Sequence, residues 1–82
     1  MHFAAYPNPA SNLLNIDYKT ESNADAVISI ANVAGQEVVN IKRNSDIGDN
    51  YQQVNVSELS SGVYFVSITQ NGKSSRAKFV KQ

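Results

Sequence analysis

Few residues of this 82-residue chain could do chemistry, and their spacing denies most of it. The single histidine, His2, sits at a terminus prone to fraying, and no Ser-His-Asp or Cys-His relay can be built around it. Cysteine is absent, which removes disulfides, a thiolate zinc site and a thiol nucleophile. The acids Asp17, Glu21, Asp25, Glu37, Asp46, Asp49 and Glu58 are scattered, and nothing marks two of them as a glycosidase pair. Asp46-Ile47-Gly48-Asp49-Asn50 is rich in oxygen ligands. It lacks the ligand spacing and closing Glu of an EF-hand, so it reads as a turn carrying solvated acids. Asn55-Val56-Ser57 fits the N-glycosylation sequon, a weak match, and no phosphate loop or GxGxxG is present. The expectation is a domain without catalytic residues, metal or cofactor.

The basic residues are the ones with a pattern. Lys73, Arg76, Lys78 and Lys81, four of the seven, fall in the last ten positions, where there is no acid. Residues 1–72 hold Lys19, Lys42 and Arg43 against all seven acids. The net charge is zero, which argues against a nucleic-acid binder held by counterion release. No apolar run approaches the ~18 residues of a membrane span. The opening HFAAYPNPA lacks the basic and apolar regions of a signal peptide, so a role outside the cytoplasm implies cutting from a longer precursor.

The elements that must position these residues have a period of two. Leu14, Ile16 and Tyr18 share one face of LLNIDY, and Ala26, Ile28 and Ile30 share one face of AVISIANV. Val39 and Ile41, Val54 and Val56, and Tyr64, Val66 and Ile68 repeat the pattern in EVVNIKR, YQQVNV and VYFVSIT. β-Branched and aromatic residues at alternate positions suit half-buried strands. Turn signals separate them: PNP at 7–9, ESNAD at 21–25, AGQ at 34–36, NSDIGDN at 44–50, SELSSG at 57–62 and Asn71-Gly72. With a short segment near Phe3–Tyr6 and the final KSSRAKFVK, about seven strands result. The fold class is all-β, a small antiparallel β-sandwich. Residues 1–5 are a linker or a short first strand, and 6–82 the domain.

Asn71-Gly72 is a strong hairpin signal, because both residues tolerate φ > 0. A two- or four-residue loop pairs Gln70 with Lys73, Val66 with Ala77, Phe65 with Lys78, Tyr64 with Phe79 and Val63 with Val80. A three-residue loop would flip the register and exchange the roles of the last strand's residues. In the first register Tyr64, Val66, Ile68, Ala77 and Phe79 face inward. Val63, Phe65, Ser67, Arg76, Lys78 and Val80 face outward. Either the stems of Arg76 and Lys78 shield Phe65 from water, or the set is a docking surface with an apolar centre and a basic rim.

Four segments in order, YPNPASNLLNI (6–16), ISIANVAGQEV (28–38), LSSGVYFVSI (59–68) and NGKSSRAKFVKQ (71–82), resemble the type A C-terminal sorting domain of the Bacteroidetes type IX secretion system. Pro7, Asn8 and Pro9 match the first motif of that family, and Gly35 and Gln36 the second. Gly62 and Tyr64 match the third, and Gly72, Lys73, Lys78, Phe79, Val80 and Lys81 the last. The resemblance implies a seven-stranded immunoglobulin-like sandwich serving as the address of a larger cargo in transit through the periplasm to the cell surface. It implies an outer-membrane translocon and shuttle proteins as partners. It also implies a sortase-like peptidase that removes the domain and joins the cargo to lipopolysaccharide. Gly35, Gly62 and Gly72 are expected to serve turns, and Tyr64 and Phe79 the core. Lys73, Arg76, Lys78, Val80 and Lys81 are expected to contact the machinery. The rival readings are a carbohydrate- or surface-binding module using Tyr51 or Phe65, and an inert spacer; weak self-association through strand edges is open to all three.

Overall fold

A computed structural model describes residues 2–82, as seven strands and no helix. The expectations for Met1 and for the His2 side chain lie outside the described residues. The strands are β1 (His2–Tyr6), β2 (Leu13–Thr20), β3 (Ala26–Asn32), β4 (Glu37–Arg43), β5 (Gly48–Asn55), β6 (Gly62–Gln70) and β7 (Lys73–Lys81). They form two antiparallel sheets, ordered β1-β2-β5 and β4-β3-β6-β7, packed as an immunoglobulin-like sandwich.

Alternation decides which residues fill the space between the sheets. Leu14, Ile16 and Tyr18 of β2 are buried with Ala26, Ile28 and Ile30 of β3, Val54 of β5, Val66 and Ile68 of β6, and Phe79 of β7. Each fully buried Ile, Val or Phe contributes about 1.5–3 kcal/mol relative to exposure, so this one layer holds a thin domain together. Tyr64 stacks on Phe79 with ring centroids 5.7 Å apart and donates its hydroxyl to the Ser60 carbonyl at 2.7 Å. Phe3 and Ala5 bring β1 against the same core.

One expectation needs correction. The turn assigned to 44–50 is shorter, because β5 begins at Gly48. Asn50 turns inward there: its side chain accepts from the Asp46 N–H and donates to the Asp46 and Gly48 carbonyls. That amide organises the loop, and Asp46 and Asp49 stay exposed on it, as expected of a turn carrying solvated acids. Tyr6 and Tyr51 lie on the outer face of their sheet, 42% and 50% exposed.

Candidate functional site

The hairpin that carries the basic residues has the register its sequence implies. Gln70 pairs with Lys73, Phe65 with Lys78, Tyr64 with Phe79 and Val63 with Val80. Asn71 and Gly72 adopt φ of 53° and 75°. Successive positive values give the turn the twist of its flanking strands, and Asn and Gly reach them with the least strain. Gly35, at φ 85°, does the same in the β3–β4 turn. There the Asn32 carboxamide oxygen accepts from the N–H groups of Ala34 and Gln36.

Both ends of the hairpin are tied to distant parts of the chain. At the turn end, buried Gln70 accepts from the Thr20 hydroxyl and donates to the carbonyls of Ala24 (2.7 Å) and Ser22 (3.2 Å), while Asn71 donates to the Ser22 hydroxyl. At the far end, the Asn8 side chain accepts from the Val80 N–H at 3.0 Å. Ala10 donates to the Val80 carbonyl at 2.8 Å, and the Gln82 N–H donates to Ala10 at 2.9 Å. The PNP turn and the final KFVKQ are thus one structural unit. Sequence reasoning could not join them, because 72 residues separate Asn8 from Val80. Gln70 was missed because a polar residue at a strand's end reads as exposed. The available signal was its parity with Val66 and Ile68.

The structure divides the basic residues rather than clustering them. Arg76, Lys78 and Val80 project together from the outer face, all exposed. Arg76 lies over the Phe65 ring, its guanidinium carbon 4.6 Å from the centroid, a cation–π contact that covers the aromatic and holds the charge in place. Among the described residues the one ion pair is Lys42–Asp25, at 3.7 Å, so Arg76 and Lys78 keep their charge unneutralised. Lys73 stands apart, on a shallow groove with Lys19, Glu21, Ser22 and Asn71. Lys81 departs from the sequence expectation. Its parity is that of Ala77 and Phe79, it is only 7% exposed, and its ammonium donates to the Gln82 carbonyl at 2.9 Å. Along the extended β7 it lies about 27 Å from Lys73. The outer surface is therefore exposed Arg76, Lys78 and Val80 beside half-buried Val63 and Phe65 of β6.

A family model described as the secretion system C-terminal sorting domain matches residues 4–82. The chain belongs to that family. Comparison with curated proteins gives no match. As a type IX sorting domain it is a signal rather than a catalytic unit, in transit toward the outer membrane or beyond and engaging the type IX machinery. Its motif residues divide by role. Pro7-Asn8-Pro9 secures the end of β7, Gly35, Gln36 and Gly72 shape turns, Gly62 opens β6, and Tyr64 and Phe79 fill the core.

Proposed function

We propose that this sorting domain is the address of a larger cargo and that the machinery reads it on the outer side of β7, at Arg76, Lys78 and Val80. The translocon and its shuttle proteins meet this surface after the cargo reaches the periplasm. A sortase-like peptidase then removes the domain and joins the cargo to the cell surface. The match over residues 4–82 carries the sorting role. The choice of surface is supported by two basic side chains that alternation turns outward and that find no acid among the described residues. Lys73 adds a separate contact from the hairpin end, whereas Lys81 serves the fold.

The test fuses residues 1–82 behind a periplasmic reporter enzyme in a bacterium with a type IX system. Reporter activity is expected at the cell surface or in the medium. Activity that stays in the periplasm to the same extent with and without the domain would reject the sorting role.

One observation favours a second reading, a sugar-binding face. Tyr6 and Tyr51 are exposed beside Asn15, Asp17 and Gln53 on the β1-β2-β5 sheet. Glycan-array binding lost on Tyr51→Ala would support it, and a silent array would remove it.

A further inference from the structure

β7 is an edge strand, bonded to β6 on one side only. In an antiparallel ladder the backbone groups of alternate residues point to opposite sides of the strand. The N–H and C=O of Val80 point away from β6, because they meet Asn8 and Ala10. By the same alternation, those of Ser74, Arg76 and Lys78 also point to the outer edge. Among the described residues, nothing hydrogen-bonds to these three pairs, and all three residues are exposed. The edge therefore has a closed end, at residues 80–82, and an open stretch from Ser74 to Lys78 about 14 Å long.

Open strand edges invite pairing, and proteins that avoid it cover or distort them. Here β5 is partly covered, since Arg43 reaches across to the Tyr51 carbonyl. Among the described residues no side chain hydrogen-bonds across the outer edge of β7 between Ser74 and Lys78, although β1 packs near this strand. The side chains of β7 instead select what can pair. An antiparallel second copy of β7 centred on Arg76 would set Arg76 against Arg76, and like charges directly opposed are unfavourable. No other edge strand of the chain offers two acids at alternate positions: β1 has none, β4 has Glu37 alone and β5 has Asp49 alone. A strand with acids two residues apart would place them opposite Arg76 and Lys78 on one face. The residue between would face the half-buried Ala77, which favours a small apolar side chain there.

We infer that the open edge of β7, from Ser74 to Lys78, binds an extended acid–apolar–acid segment of the recognition machinery by strand addition. The inference rests on the sorting role proposed above. Main-chain hydrogen bonds supply the attachment, and Arg76 and Lys78 supply the selectivity. The closed end sets the register, because Ala10 blocks extension past Lys78.

Two measurements test it. In amide hydrogen exchange on the free domain, Ser74, Arg76 and Lys78 are expected to exchange at least ten-fold faster than Val80. Adding an acetylated Thr-Glu-Val-Glu-Thr peptide is expected to slow those three amides at least three-fold, while a Thr-Lys-Val-Lys-Thr peptide leaves them unchanged. Protection of these amides in the free domain, through a second copy detected as a dimer by sedimentation, would overturn the inference. So would equal effects of the two peptides, or none.

In cells, Ser74→Pro removes an outward N–H with no change of charge, and edge positions tolerate proline. Reporter secretion is expected to fall at least five-fold, with the unfolding midpoint of the purified domain confirming that it still folds. If the variant domain unfolds, Lys78→Pro is compared with Lys78→Gln, so that loss of the outward N–H is separated from loss of the charge. Normal secretion by a folded proline variant, with secretion still requiring residues 1–82, would reject strand addition and leave the sorting role standing. Secretion without the domain would reject the sorting role itself.

Discussion

On the outer face of the β1-β2-β5 sheet, Tyr6 donates to Asp17 at 2.8 Å, and Tyr51 and Gln53 both donate to Asn15. On the outer face of the other sheet, Arg76 and Lys78 stand on β7 with no carboxylate partner among the described residues. The first face turns its polar groups on one another. The second keeps two positive charges and an open strand edge, held in place by a packed core beneath. The pleat makes both arrangements possible, since it fixes the inner residue and the outer residue of each strand independently. Phe79 anchors β7, and that anchoring aims Lys78 and Val80 outward.

Removing the shared support should erase the distinction. Phe79→Ala deletes a fully buried ring that stacks on Tyr64, and such changes cost about 3–5 kcal/mol. In urea denaturation the variant should be largely unfolded, with both faces lost together.

Loosening one end of the hairpin should affect only the second face. Gln70→Ala strands the Thr20 hydroxyl and the carbonyls of Ser22 and Ala24, at a cost of roughly 1–3 kcal/mol. The urea midpoint should fall accordingly, and amide exchange should rise around residues 22–24 and 71.

At the other end, Asn8→Ala removes one exposed hydrogen bond, worth about 0.5–1.5 kcal/mol. The Val80 amide should exchange faster while the Ala77 and Phe79 amides, which pair with β6, keep their protection.

The smallest effect belongs to the first face. The hydrogen bond from Tyr6 to Asp17, together with the nearby negative charge, raises the phenol pKa above its ordinary value of 10.0. Because the folded value is the raised one, any stabilisation from this pair is complete below the ordinary tyrosine pKa and is lost as pH rises through the raised one. In alkaline titration the Tyr6 phenol should ionise late, and Asp17→Asn should bring it back toward the ordinary value with no change in reporter secretion.

Much of this was legible in the sequence because period-two patterning and turn chemistry are local. Asn71-Gly72 set the hairpin register, and the register set which side chains of β7 face outward. The same parity places Lys81 inward, but a lysine at the end of a strand reads as exposed unless its neighbours are known. The joining of Asn8 to Val80 and the burial of Gln70 depend on contacts across 72 residues and on the β2–β3 loop. No local propensity encodes those. The family resemblance marked the PNP turn and the last strand as two motifs, and the structure supplies the physical reason they occur together.

The most direct test of the account reverses charge on β7 while sparing the fold. Reporter secretion would be compared for Arg76→Glu/Lys78→Glu and for a control of equal charge change, Lys19→Glu/Lys42→Glu, with unfolding midpoints confirming that both domains fold. The account predicts at least a ten-fold loss of surface and medium activity for the β7 pair, with reporter accumulating in the periplasm, and near-normal secretion for the control. Equal secretion by the two folded variants would contradict the claim that the outer side of β7 is what the machinery reads.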